Sequence, residues 1–372
     1  MISILRNSKS LLQKIGRFAI AAVLATLMAI APAFPAHADT SSDAYKQFAC
    51  PSNPTPIAPT FDPALVRLGI TPTGWSNSDD PSIDTVPPTQ YRQILSEMAL
   101  AGFKGSQMSG KFPKDMEVLK SELALRDITI SEPWVGTFFT IGAAADSQRI
   151  FDEQMAFMQS LDEDTIVVAE LGGAVHQQPI APLPNRPIFS NEQWDQLTAG
   201  LNDLGEQAYN AGMVLVYHPH VGTGVETPAD VDRLMENTDP RYLKLLLDTG
   251  HLYYAIAEDS NKTSTEILAE IEALTTKYAD RIKHVHMKNI RESVLKDSIA
   301  SGVSFLDSIR AGSFTVPGDS AGVIDFNPIL QTLANVNYQG WLIVEAEQDP
   351  NKANPLQYAL MARCYLEKAT GL

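Results

Sequence analysis

From residue 64 onward the apolar positions alternate between two rhythms. Short β-rich runs end in polar or glycine residues: Val66–Trp75, Gly102–Ser109, Ile128–Val135, Thr165–Leu171, Met213–His220, Leu243–His251, Ile282–Asn289 and Trp341–Glu347. Between them lie stretches of helical periodicity: Gln90–Ala101, Pro113–Arg126, Ala145–Leu161, Asn191–Ala211, Thr227–Glu236, Glu266–Ala279, Asn327–Asn335 and Asn354–Lys368. Asp146, Asn191, Thr227 and Asn327 are helix-start residue types near these openings. Repeated strand–helix units imply a parallel sheet with right-handed crossovers, and eight of them fit an α/β fold, a single (β/α)8 TIM barrel. A doubly wound open sheet fits less well. Gly69 and Gly74 are wrongly spaced for the phosphate-cradling turn that would follow its first strand. Ile290–Gly322 is the one long insertion and a candidate lid.

The first residues break this rhythm. Residues 1–38 carry Arg6, Lys9, Lys14 and Arg17 and no acid, then the apolar run Phe18–Ala31, then Ala36-His37-Ala38. That order describes a secretory signal peptide, and the run is too short for a membrane span of about 20 residues. Residues 39–62 are polar and proline-dotted and read as an extended leader, so the barrel proper is expected over 63–372. The reading is an exported, periplasmic or secreted protein with no membrane association after cleavage. Composition sharpens it. The chain's formal charge is −16 over 372 residues, but the basic segment leaves the remainder with 24 basic against 44 acidic residues, a net −20. Such a surface repels polyanions, so nucleic acid is not an expected partner. Two cysteines exclude a disulfide scaffold and a thiolate metal site. Cys50 and Cys364 could pair in an oxidising compartment or remain free thiols, and the sequence leaves both open.

In a barrel, chemistry collects at the C-terminal ends of strands. Here those ends read Glu170, Tyr217-His218-Pro219-His220, Leu247-Asp248-Thr249-Gly250-His251, His284-Val285-His286-Met287-Lys288-Asn289 and Val344-Glu345-Ala346-Glu347, with His176 just beyond the fourth run. Of seven histidines only His37 lies elsewhere. A lone strand-end histidine is usually a hydrogen-bonded structural residue; six at one face point to a metal site. Imidazoles with carboxylates and no thiolate suit one divalent ion such as Mn, Co or Zn. Alternation places His218 with His220, His284 with His286 and Lys288, and Glu345 with Glu347.

The segments YHPHVGTGVE (217–226), LDTGH (247–251), HVHMKN (284–289) and VEAE (344–347) resemble the xylose-isomerase-like barrel superfamily. That group contains sugar isomerases and epimerases, inosose dehydratases and type IV apurinic endonucleases, and the chain is most similar to the inosose dehydratases. The resemblance implies one divalent metal held by His218, Asp248, His286 and Glu345, with Glu170 and His220 as alternatives at the first of these positions. Two positions depart from the family pattern. Asn289 stands where an acid usually follows the lysine, and Gln107 stands where the second strand often ends in Glu.

The implied chemistry is proton abstraction next to the carbonyl of a small sugar or cyclitol ketone. A lyase (dehydration) or a sugar isomerase/epimerase would share that first step. Glu170, Lys288 and His251 are the candidates for proton transfer, and His220, Trp134 and Arg291 for substrate binding. Trp134 has barrel packing as an equal alternative. An exported sugar- or polyol-binding barrel without catalysis is the rival reading, since Asn289 and Gln107 remove carboxylates. An apurinic endonuclease is disfavoured by the net charge. A homo-oligomer is compatible with the sequence.

Overall fold

A computed structural model describes residue 50 and residues 52–258 and 261–372. The expected signal segment and the first part of the leader lie outside the described residues. Nine parallel segments form one sheet: β1 (Val66–Ile70), β2 (Gly105–Gln107), β3 (Thr129–Glu132), β4 (Trp134–Thr137), β5 (Thr165–Glu170), β6 (Val214–Tyr217), β7 (Leu243–Asp248), β8 (Ile282–Met287) and, after two short segments, β11 (Gly340–Val344). Their spatial order is β3-β2-β1-β11-β8-β7-β6-β5-β4. The sheet's two edges, β3 and β4, are consecutive in sequence, so the sheet curls into a barrel interrupted only at Pro133. The third expected strand is therefore two. Proline has no N–H to give to the ladder, and the pairing changes partner there, from β2 before it to β5 after it.

Two apolar layers fix which way each strand faces. Ile166, Val168, Leu215, Tyr217, Leu245 and Leu247 belong to the large core between sheet and helices. The alternate residues Val167, Val216 and Leu246, with Trp134 and Val214 against them, form a small plug inside the barrel. Period-two alternation then carries the interior face of β6 and β7 directly to His218 and Asp248.

The expected helices form on the outside at Tyr91–Ala101, Met116–Ala124, Ala144–Ser160, Asn191–Asn210, Pro228–Glu236, Ser264–Lys277, Asn327–Asn335 and Pro355–Thr370. Thr227 does cap its helix, within a capping box with Asp230, whereas Ser190 rather than Asn191 caps the helix beginning at 191. Thr249–Ile256 is an additional helix, buried along its whole length and so without the polar face that reveals a surface helix. The insertion holds helices Glu292–Ala300 and Phe305–Ala311, flanked by β9 (Asn289–Ile290) and β10 (Phe314–Thr315), an antiparallel pair. Phe305 and Phe314 bring ring contacts onto His251. The described part of the leader runs across the last helices. Ile57 N donates to Ala369 O at 2.9 Å, Ala58 N donates to Gln331 Oε1 at 3.1 Å, and a disulfide joins Cys50 to Cys364 across 314 positions.

Candidate metal centre and active-site cavity

Local sequence delivers each polar side chain to the same spot. Asp248 ends β7 and caps the buried helix: its Oδ1 accepts from His251 N at 2.8 Å, which leaves Oδ2 aimed into the barrel. His218 Nε2 lies 3.3 Å from that Oδ2, and His286 Nδ1 lies 3.5 Å from it and 3.0 Å from Glu345 Oε2. The four residues are buried, and one ligand atom from each falls within 4.8 Å of the others. Lys288, fully buried, places Nζ 2.7 Å from Glu345 Oε2, 2.9 Å from Glu347 Oε2 and 2.8 Å from His251 Nε2.

Electrostatics follows from burial and from these neighbours. Burial raises Asp248 and Glu345, but Lys288 heads the opposing influences on both and holds both carboxyls below the usual range. Burial pushes Glu347 up to about 7, with Lys288 opposing. Burial lowers His218, His220 and His251, the last two strongly, so these rings are neutral near pH 7. His286 is the exception: burial disfavours its charge, but Glu132 and Glu345 override this and raise it well above the ordinary histidine value. Asp248, Glu345 and Glu347 all face the Lys288 ammonium at close range. Two imidazoles and two carboxylates, with no sulfur among them, fit one divalent cation. His218, Asp248, His286 and Glu345 are the residues that would hold it.

A cavity of about 330 Å³ opens over this cluster, with Trp134, His218, His220, Gln107, Glu345 and Glu347 in its lining and Asp79 and Lys114 also on its wall. The chain matches the model of the xylose isomerase-like TIM barrel over residues 95–366. It belongs to that family. An inosose dehydratase of Clostridium tetani is 42% identical over 313 residues, 84% of this chain and 100% of the relative. That of Clostridium beijerinckii is 44% identical over 82% of this chain and 98% of its own length. Among solved structures, a zinc-bound IOLI protein superposes with a TM-score of 0.57 at 14% identity, covering 82% of this chain and 98% of the other. An L-ribulose 3-epimerase superposes at 0.55 and 18%, covering 81% and 93%. At such identities these two speak for the fold alone.

Within this xylose isomerase-like barrel, three kinds of correction to the sequence reading emerge. Glu170 is not in the site. It ends β5 facing the helices, and its carboxylate accepts from Thr137 Oγ1, Phe139 N, Thr140 N, Thr140 Oγ1 and Gly172 N. Five donors leave it no role in proton transfer. Arg291 is equally committed elsewhere: its guanidinium donates to Gly312 O, Phe314 O, Thr315 Oγ1, Asp319 Oδ2 and Tyr358 OH, tying the insertion together. Lys288 and His251 sit beside the cluster, fully buried, and are not among the residues that line the cavity.

His220 and Trp134 do line the cavity, their rings 5.8 Å apart. Asn289 is a staple for the insertion, its Oδ1 accepting from Ile290 N and Ile324 N, each at 2.8 Å. The lysine is oriented instead by Glu345, Glu347 and His251.

One buried carboxylate escaped the sequence reading. Glu132, fully buried at the end of β3, accepts from Gln107 Nε2 at 3.1 Å and contacts both His284 and His286. An interior acid thus stands beside Gln107 after all. Its place at a strand end, just before Pro133, was the available signal. A register shift between Ser106 and Gln107 hid it: Ile130 pairs with Ser106, Ser131 is skipped, and Glu132 pairs with Gln107. Strict alternation from outward-facing Ile130 would have sent Glu132 outward; the bulge turns it in.

Proposed function

We propose that this chain is a metal-dependent lyase that dehydrates an inosose-type cyclitol ketone by removing the proton next to the carbonyl and expelling the β-hydroxyl. The observation that carries this is the convergence of His218, Asp248, His286 and Glu345 on one point of a sugar-sized cavity. The relatives named inosose dehydratase supply the substrate class. A divalent ion held there would polarise the ketone and acidify the adjacent C–H. Glu347 lines the cavity with one oxygen on Lys288, which positions its carboxylate to take up the proton. His220 Nδ1 faces Val221 O at 2.8 Å and donates to it, so the Nε2 lone pair is the one left to accept a substrate hydroxyl. Trp134 presents an apolar wall beside these groups.

The test is incubation of metal-loaded protein with an inosose in D2O, read by NMR. Appearance of an enone-type product with loss of water supports dehydration. Stereochemical inversion or carbonyl migration without water loss would make it an epimerase or isomerase. Metal binding without turnover of an inosose or any ketohexose would leave the polyol-binding reading.

We further infer that the protein works outside the cytoplasm. The basic-then-apolar segment ending at Ala38 supports this, as does the Cys50–Cys364 bond, which persists in oxidising compartments. Mass spectrometry of the exported fraction should find a mature N-terminus at Asp39. A chain retained whole in the cytoplasm overturns the reading.

A further inference from the structure

Glu132 touches one of the candidate ligands, His286, and its contacts are more specific than charge balance requires. The His286 imidazole is held between two carboxylates, with Nε2 at 2.9 Å from Glu132 Oε1 and Nδ1 at 3.0 Å from Glu345 Oε2. An ion held at Nδ1 displaces the proton there and leaves the ring a single N–H, on Nε2, and an ionised carboxylate can only accept. Glu132 sits away from the other ligands, and its own orientation is fixed. Gln107 Nε2 donates to Oε1 at 3.1 Å, His284 lies against Oε2, and the side chain is fully buried.

We propose that Glu132 is a positioning residue for the metal centre: by holding the proton on His286 Nε2 it turns the Nδ1 lone pair toward Asp248 and Glu345. The inference rests on reading the four-residue cluster as a metal site. Glu345 cannot supply this control, because it shares the Nδ1 side with the ion. Without Glu132 the proton is free to move to Nδ1, where it hydrogen-bonds Glu345 and blocks coordination. The bulge at Ser131 and the break at Pro133 give the sequence a structural purpose here, since together they swing Glu132 into the barrel at the level of β8.

The competing arrangement is a second cation held by Glu132, His284 and His286, whose ligand atoms also lie within 4.8 Å of one another. It requires His286 Nε2 to be deprotonated, so the proton's location separates the two. Competition titration with a chromophoric chelator, using Zn²⁺ and Co²⁺ on wild type, Glu132→Gln, Glu132→Asp and Asp248→Ala, measures affinity and stoichiometry. Expected is one metal per wild-type chain, a Kd weakened about 10–100-fold in Glu132→Gln, and an intermediate loss in Glu132→Asp. In the Zn²⁺ form, ¹⁵N-histidine NMR should place the His286 proton on Nε2. This measurement on wild type decides the matter if Glu132→Gln does not fold.

A Glu132→Gln affinity within twofold of wild type, while Asp248→Ala binds nothing, overturns the inference and leaves the metal site standing. So does a proton on Nδ1. Two metals per wild-type chain, one of them lost in Glu132→Gln, would make Glu132 a ligand instead. A wild type that binds no metal ends both readings.

Discussion

Glu170 and Glu347 are the same residue type at the ends of two parallel strands, and both are buried. One faces the helices under five donated hydrogen bonds and the other faces the cavity. Their substitutions should therefore separate cleanly. Glu170→Gln is expected to lower the unfolding free energy by about 1–3 kcal/mol, since a buried donor is left unmatched, and to leave metal affinity unchanged. Urea unfolding and metal titration check this. Glu347→Gln is expected to keep metal and fold while kcat falls about 10²–10⁴-fold, the usual contribution of a proton-transfer group. Equal kcat in variant and wild type would remove Glu347 from the chemistry.

At the scale of elements, the buried helix Thr249–Ile256 packs directly on the stem of Lys288. A Cβ on Gly250 would lie 2.5 Å from Lys288 Cγ and 2.6 Å from Cδ. Alanine in a helix gains about 1 kcal/mol over glycine, whereas forcing a methyl into a filled core costs about 1–3 kcal/mol. The overlap wins, because Lys288 is pinned by Glu345, Glu347 and His251 and cannot swing aside. Gly250→Ala should lower Tm and activity together. The insertion obeys a different logic. Arg291 ties it together from outside the cavity, so Arg291→Ala should destabilise by about 1–3 kcal/mol without the substrate-contact effect, a rise in KM. A raised KM at unchanged Tm would return Arg291 to the binding site.

Over the whole molecule, the disulfide ties the leader to the last helix across 314 positions. On the chain-entropy account, closing so long a loop stabilises by about 2–5 kcal/mol, so Cys364→Ser or reductant should lower Tm measurably. A second global property is the pH dependence of stability. Burial pushes Glu226 up to about 8, with Arg186 opposing and Asp230 and Glu258 adding to the rise. Its folded value lies above the ordinary 4.5, so the stability of its protonated form is fully present below that value and is lost as pH rises through about 8. Each unit of such a shift corresponds to about 1.4 kcal/mol. Unfolding free energy should fall across this window in wild type and fall less in Glu226→Gln, as denaturant melts at pH 5 and pH 8.5 would show. Equal slopes would mean that Glu226 stays ionised beside Arg186.

Most of the barrel was legible from the alternation of apolar runs, because parallel strands joined by crossovers have few other ways to bury both faces. The same topology puts all strand ends of one polarity on one rim, so the strand-end histidines and carboxylates stood out as a group, and the family resemblance then narrowed them to His218, Asp248, His286 and Glu345. The facing of individual carboxylates was a different matter. β5 is apolar from Ile166 to Ala169, so no polar partner two residues back marked the outward turn of Glu170. At β3 the bulge reversed the parity that would have sent Glu132 outward. Whether Cys50 meets Cys364 depended on the path of the leader across the final helices. Sequence determines rhythm and residue type, which are local. Facing and pairing are set by ladder register and by contacts between distant segments, and only the folded chain brings those into being.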